Sequence, residues 1–168
     1  MAITSHEWHS LDGELRASIQ RIQAETPVKL SSLARTLGVR VQSSTLPAGI
    51  SGEIRPDPAR PGSFLVRVNR HDSPKRQRFT VAHELAHYLL HRDQIGDGIK
   101  DDVLYRSRLS DRREAEANRL AADLIMPADL IDEWLRRSSA LRVDDPVHYL
   151  AHAFNVSEQA MKIRLGLA

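Results

Sequence analysis

Residues 78–91 of the chain read RFTVAHELAHYLLH, and the fold that we expect is built around this segment. Its apolar residues surround the helix axis almost completely, which is typical of a buried helix. Ser73 and Pro74 lie just upstream and supply a cap and a first-turn proline. The sequence therefore predicts a buried helix that begins after Ser73 and ends near His91.

Within this helix, residues 83–87 match the pattern H-E-x-x-H. Positions i and i+4 lie one above the other on a helix, so the imidazoles of His83 and His87 can converge on one tetrahedral zinc ion. Glu84 does not share that stack and can act as the general base toward the attacking water. The rival interpretation is a pair of core histidines bonded to the backbone, with Glu84 in an ion pair. We prefer the metal site because a cation would satisfy all three polar groups, which are costly to bury otherwise.

Such a zinc ion needs a third protein ligand. The chain has no cysteine, so the ligand must be an imidazole or a carboxylate. His91 is excluded because it would lie about 12 Å from His83 on a straight helix. The third ligand should therefore come from another helix.

Residues 111–118 read DRREAEAN and offer two carboxylates for that place. Helical periodicity puts Glu114 on the apolar side of the predicted helix and Glu116 on its wet side, together with Asp123. This pattern favours Glu114 as the ligand. The alternative role of Glu114 is a capping box with Asp111, since D-x-x-E is a helix-start signature. From the helix alone, both roles stay open.

Two runs together resemble the ImmA/IrrE family of metallopeptidases: RFTVAHELAHYLLH at residues 78–91 and EAEANRLAADLIMP at residues 114–127. The resemblance covers about residues 28–135, with Leu120 where the family often has Phe. It implies that Glu114 is the third zinc ligand. It also implies a gluzincin-like core, in which a small antiparallel sheet packs against the two metal-bearing helices. Asn118, one turn beyond Glu114, is placed to orient a ligand.

The remaining pattern predicts an α+β protein. Helices are expected at residues 6–24, 30–37 and 111–126 and again around residues 130–135, and strands at 39–42, 51–55 and 63–69. The polar stretch 92–110 is expected to be a surface loop. We divide the chain into a zincin-like metallopeptidase domain at residues 1–137 and a helical tail at residues 138–168 that packs on it.

The strand at residues 63–69 alternates apolar and polar side chains, and we predict that it is an edge strand. An extended substrate would pair with it by β-augmentation, which makes Phe64, Val66 and Val68 the candidate substrate-binding residues. The oxyanion needs a further donor, and the sequence does not rank the candidates Tyr88, Tyr105, His148 and His152.

Residues 150–165 resemble a helix-turn-helix, with Ser157 capping the second helix. That second helix offers Lys162 and Arg164 as its only cations, which is few for DNA affinity. We therefore favour packing on the core, or docking of a substrate, over DNA binding.

Composition sets the general class. The chain of 168 residues is 41% hydrophobic and 27% charged, which is typical of a soluble globular protein. The net charge is only +2, so composition gives no case for nucleic-acid binding. We see neither a signal peptide nor a membrane span, and the cytoplasm is the expected location.

The resemblance implies a zinc-dependent endopeptidase that cleaves a helix-turn-helix transcriptional repressor, in a stress-response, mobile-element or toxin–antitoxin context. One zinc ion per chain is expected, with manganese as an alternative. A rival hypothesis is a non-catalytic regulator that binds DNA or a partner and uses the metal structurally. A third is a different zinc hydrolase on the same scaffold.

Overall fold

A computed structural model describes residues 2–102 and 111–168 of the chain. These residues form eight α-helices, four β-strands and one short 3-10 helix (Arg92–Gln94). The helices are α1 (His6–His9), α2 (Gly13–Ile22), α3 (Leu30–Leu37), α4 (Pro74–Leu90), α5 (Asp111–Ile125), α6 (Ala128–Ala140), α7 (Pro146–Phe154) and α8 (Glu158–Arg164). The strands are β1 (Val39–Ser44), β2 (Ile50–Pro56), β3 (Phe64–Asn69) and β4 (Ile99–Asp102). The predicted α+β class is confirmed.

The four strands form one sheet in the order β1-β3-β2-β4. β2 pairs antiparallel with β3 and with β4, whereas β1 pairs parallel with β3 in the register Val39↔Phe64 to Ser44↔Asn69. The predicted purely antiparallel sheet is therefore wrong, and the sheet is mixed. The parallel pair arises because β3 returns past β2 and inserts between β2 and β1.

β3 is an interior strand, which corrects the prediction that it is an edge open to substrate. Its backbone is paired on one side with β1 and on the other with β2, so it has no side left for a further strand. Val66 and Val68 are buried in the hydrophobic core, and Phe64 packs partly buried against that core. These three side chains stabilise the fold instead of lining an exposed edge.

α4 is the central helix of the fold and matches its sequence prediction. It begins at Pro74, where the Ser73 hydroxyl accepts a hydrogen bond from the backbone N–H of Arg76, and it ends at Leu90. Every residue from Thr80 to His87 is buried, because α4 packs on β2 and β3 with one side and on α5 with another. The H-E-x-x-H motif thus lies in the interior of the molecule.

Two predicted elements differ from the structure. Residues 6–24 form two helices instead of one, because the Asp12 side chain accepts hydrogen bonds from the backbone N–H groups of Glu14 and Leu15 and starts a new helix there. In the predicted loop at residues 92–110, the described part contains the 3-10 helix and β4. β4 forms because the second side of β2 accepts a strand and Ile99 is buried, with 2% of its surface exposed.

The helical tail packs onto the same hydrophobic core as the rest of the molecule. Leu150, Phe154 and Met161 belong to the cluster that also contains the buried residues of α4 and α5. A buried ion pair adds to this contact: Arg164 of α8 donates to Asp123 of α5 at 3.0 Å. The prediction that Asp123 lies on a wet surface is therefore wrong, because the tail and the N-terminal segment cover that side of α5.

Among the helices of the described residues, none combines the length and the apolar character that crossing a bilayer requires.

Candidate metal centre

Two helices bring three ligand atoms together. His83 and His87 lie one turn apart on α4, and Glu114 lies in the first turn of α5, which packs beside α4. The Nε2 atoms of His83 and His87 are 3.1 Å apart. Glu114 places Oε2 3.1 Å from Nε2 of His83 and Oε1 3.3 Å from Nε2 of His87.

The spacing of these atoms fits a zinc ion. In a tetrahedral site with metal–ligand bonds of about 2.0–2.1 Å, neighbouring ligand atoms are about 3.3 Å apart, and the two Nε2 atoms are close to that separation. The two Glu114 distances end on different carboxylate oxygens, and they place this carboxylate beside both imidazoles. The donor set is also suitable, since two imidazoles and one carboxylate form the His₂Glu set of catalytic zinc sites. Within the described residues, His83, His87 and Glu114 are the group of His and acidic side chains close enough to hold one metal ion.

Asn118 fixes the orientation of His83. Its Oδ1 atom lies 2.8 Å from Nδ1 of His83, so the ring donates the proton on Nδ1 to the amide oxygen. Nε2 of His83 then carries a lone pair that points toward His87 and Glu114. An outer hydrogen bond of this kind selects the tautomer that can bind a metal. The contact agrees with the role expected for Asn118 from the sequence, and that role stays a prediction.

Glu84 is completely buried, and the backbone of β2 lies against it. A Cβ atom built on Gly52 would be 3.3 Å from Oε1 of Glu84 and 3.2 Å from the carbonyl oxygen of Arg67. Glycine at this position therefore lets the sheet pass close to the carboxylate. Gly52 was not predictable as a site residue from the sequence, because glycine inside a strand indicates only a bulge or a close approach whose partner is unknown.

His87 is held by a chain of side chains that the sequence analysis missed. Nδ1 of His87 lies 2.9 Å from Nδ1 of His91, and Nε2 of His91 lies 2.9 Å from Oε2 of Glu116. His91 is completely buried, and only 14% of the Glu116 side chain is exposed. The prediction of a wet environment for Glu116 is thus wrong. The i, i+4 spacing of His87 and His91 was the available signal.

The charge states of His91 and Glu116 follow from burial and hydrogen bonding. The hydrogen bond with His91 holds the pKa of Glu116 below its ordinary value, and Arg113 acts in the same direction. Burial lowers the pKa of His91, against the opposing effect of the Glu116 carboxylate. An ionised Glu116 next to a neutral His91 is the arrangement that these effects favour.

Two of the four predicted oxyanion donors, Tyr88 and His148, have other contacts in the structure. The Tyr88 ring packs edge-on against Phe64 at 5.6 Å between centroids and lies beneath the Arg92 guanidinium. His148 pairs with Glu158 inside the tail at 2.7 Å, and His152 is exposed on α7. Tyr105 lies outside the described residues. The assignment of an oxyanion donor stays a prediction.

The sequence of the chain matches a known protein family and two known proteins. The peptidase M78 family model, described as the IrrE N-terminal-like domain, matches residues 34–166. The radiation response metalloprotease IrrE of Deinococcus deserti is 42% identical over 79 residues, which cover 46% of this chain and 27% of that protein. The protein of the same name from Deinococcus radiodurans is 35% identical over 103 residues, which cover 55% of this chain and 31% of that protein.

The matched part of the chain therefore spans less than a third of the length of each of these relatives. The solved structure of a Mycobacterium tuberculosis transcriptional regulator is similar in fold, with a TM-score of 0.55 over 93% of this chain and 48% of that chain. Its sequence is 20% identical, so the likeness concerns the fold alone.

Proposed function

The chain belongs to the family of IrrE N-terminal-like domains, and on that premise we propose that it is a zinc-dependent endopeptidase. The resemblance to the ImmA/IrrE family that the two sequence runs indicated is confirmed by this match. The observation that carries the proposal is the convergence of His83, His87 and Glu114 beside each other, with the buried Glu84 next to His83 in the chain. Three protein ligands leave one position of a tetrahedral ion open, which is typical of catalytic zinc sites.

The roles of the side chains follow from their positions. Zinc held by His83, His87 and Glu114 would polarise the scissile carbonyl and lower the pKa of a coordinated water. Glu84 accepts the proton of the attacking water and delivers it to the leaving amine. Asn118 keeps the His83 ring in the tautomer that binds the metal.

We propose a protein substrate, and specifically a helix-turn-helix transcriptional repressor in a stress-response, mobile-element or toxin–antitoxin context. Family membership supports this class of substrate, and the two curated relatives are named for a radiation response. Cleavage of a repressor would connect such a response to transcription.

We propose that the substrate peptide pairs with β4. The sequence had indicated β3 for this role, but β3 is an interior strand. β4 is an edge of the sheet in the part of the chain that the structure describes. Its partner β2 carries Gly52, which lies against Glu84. An extended peptide added to β4 would continue the sheet on the side of β2 that is opposite to β3.

The contacts of the tail favour the peptidase over a DNA-binding regulator. Arg164, one of the two cations of α8, is buried and donates to Asp123, to the Met126 carbonyl and to the Ile3 carbonyl. It is therefore occupied in the fold. Lys162 remains as the exposed cation of α8, and one cation contributes little phosphate affinity.

The test is proteolysis by the zinc-loaded protein. The probe is the helix-turn-helix repressor encoded nearest to its gene, and products are identified by mass spectrometry. We expect cleavage at one site by the wild type, and none after chelation of the metal. Glu84→Gln should retain one zinc per chain but lose cleavage by at least about 100-fold, which is the scale of general-base catalysis. Glu133→Gln, the same change in a half-exposed ion pair on α6, should cleave like the wild type. A zinc-loaded Glu84→Gln protein with wild-type activity would contradict the assignment.

A further inference from the structure

His87, the second histidine of the motif, is anchored by a series of contacts through four side chains that runs away from the ligand cluster. Starting from the outside, Arg112 and Arg113 contact Glu116 at 3.1 and 3.5 Å. Glu116 contacts Nε2 of His91, and Nδ1 of His91 contacts Nδ1 of His87, both at 2.9 Å. The chain therefore crosses from α5 to the C-cap of α4 and ends on a ligand ring.

The direction of each hydrogen bond can be derived from the outer end. A carboxylate only accepts, so Nε2–H of His91 donates to Glu116. In a neutral imidazole the other nitrogen is an acceptor, so Nδ1 of His91 accepts a hydrogen bond from Nδ1–H of His87. The lone pair of His87 is then on Nε2, which is the atom that lies 3.1 Å from Nε2 of His83 and 3.3 Å from Oε1 of Glu114.

We propose that His91 and Glu116 are positioning residues that hold His87 in its metal-binding tautomer and so set the affinity of the site for zinc. The proposal rests on the proposed metal centre and deepens it. His83 has its own partner in Asn118, whereas His87 depends on this longer chain. Each of the two histidine rings thus has its own hydrogen bond at Nδ1, and this bond leaves the lone pair of the ring on Nε2.

The geometry of His91 indicates that it orients the His87 ring and does more than fill space in the core. His91 leaves the helical conformation at the C-cap, with φ −128° and ψ 28°, and its backbone N–H still bonds to the His87 carbonyl at 2.7 Å. This places its ring beside the His87 ring, with 5.1 Å between centroids. An apolar side chain could fill the same buried space, but it would leave Nδ1–H of His87 without this acceptor.

The experiment compares two substitutions of similar shape. Asn in His91→Asn places its Oδ1 atom close to the position of Nδ1, so it can still accept from His87. Leu in His91→Leu has nearly the same shape and no acceptor. We expect His91→Leu to bind zinc about 10–100-fold more weakly than the wild type, the usual effect of losing an outer partner of a ligand. His91→Asn should recover most of that loss, and Glu133→Gln should not change the affinity. The dissociation constant is measured by competition with a chromophoric chelator.

A second readout does not depend on any substitution. In the ¹⁵N-labelled zinc-loaded wild type, the hydrogen bond should give a scalar coupling between Nδ1 of His87 and Nδ1 of His91. Equal zinc affinity for folded His91→Leu and the wild type would overturn the proposal. So would an NMR spectrum in which Nδ1 of His91 carries its own proton. If His91→Leu fails to fold, the coupling alone decides. A wild type that binds no zinc would instead refute the proposed function.

Discussion

Gly52 of β2 and Glu84 of α4 are in close contact: a Cβ atom at Gly52 would lie 3.3 Å from Oε1 of Glu84 and would overlap Cγ2 of Thr80. The backbone of β2 thus lies against the Glu84 carboxylate, and α4 can approach β2 this closely only because position 52 has no side chain. This relationship connects a residue of the fold to the proposed general base.

Gly52→Ala should therefore damage both stability and activity. We expect a loss of about 1–3 kcal/mol in the free energy of unfolding, the usual range for an overpacked core, together with slower cleavage because α4 must move. Thr80→Ser removes the overlapping methyl group. The double variant with Gly52→Ala and Thr80→Ser should therefore recover part of the lost stability and part of the lost cleavage rate. Urea unfolding and initial rates measure the two effects.

Gly13→Ala is the matched control for this prediction. A Cβ at Gly13, the first residue of α2, would contact only the Arg16 guanidinium, at an ordinary 3.8 Å. This variant should keep wild-type stability or gain slightly. If Gly52→Ala behaves like Gly13→Ala, the close contact has no consequence for the fold.

The ion pair between Arg164 and Asp123 should be the main polar anchor of the tail. Its two side chains are 8% and 3% exposed, so removal of one partner leaves a buried charge behind. We expect Arg164→Met to cost about 3–5 kcal/mol in the free energy of unfolding. Lys29→Met removes an exposed i, i+4 pair with Glu25 and should cost at most about 1 kcal/mol. Equal costs in chemical denaturation would show that the tail is anchored by other contacts.

Asp57 should make the stability of the sheet depend on acid pH. Two hydrogen bonds from Arg40 of β1 lower the pKa of Asp57 from an ordinary 3.8 to about 2. A group whose pKa is lower in the folded state stabilises the protein above its unfolded-state pKa and loses this effect as the pH falls. The stability difference between the wild type and Asp57→Asn should thus be largest above about pH 4 and shrink toward pH 2.

Urea unfolding at a series of pH values measures this difference, with Asp144→Asn at an exposed position as the control. A difference that stays constant from pH 5 to pH 2 would be inconsistent with the assigned ion pair.

Elements with local signals were predictable from the sequence. Ser73 and Pro74 mark the start of α4, Gly38 ends α3 in a left-handed conformation, and alternation marks β3. The H-E-x-x-H spacing also identified His83 and His87 as a pair, and the apolar face of α5 favoured Glu114 over Glu116. The choice of Glu114 as third ligand over a capping role came from the family resemblance. Each of these signals is contained in a few neighbouring residues.

Features that depend on distant partners were not predictable in this way. β3 looks half exposed in the sequence, but β1 and β2 enclose it. Glu116 and Asp123 share the polar side of α5, and they are covered because His91 and the tail lie against them. β4 reads Ile-Lys-Asp-Asp and has no strand pattern of its own, so only its pairing with β2 defines it. Periodicity reports the character of a surface and does not identify what packs on it.

The most direct test of the metal centre is a crystal structure of the zinc-loaded wild type with anomalous data collected on both sides of the zinc edge. We predict one anomalous peak per chain, about 2.0–2.2 Å from Nε2 of His83, Nε2 of His87 and a carboxylate oxygen of Glu114, with a non-protein ligand in the fourth position. A peak elsewhere, or a zinc ion at the two histidines with Glu114 turned away and another protein side chain in its place, would contradict the account.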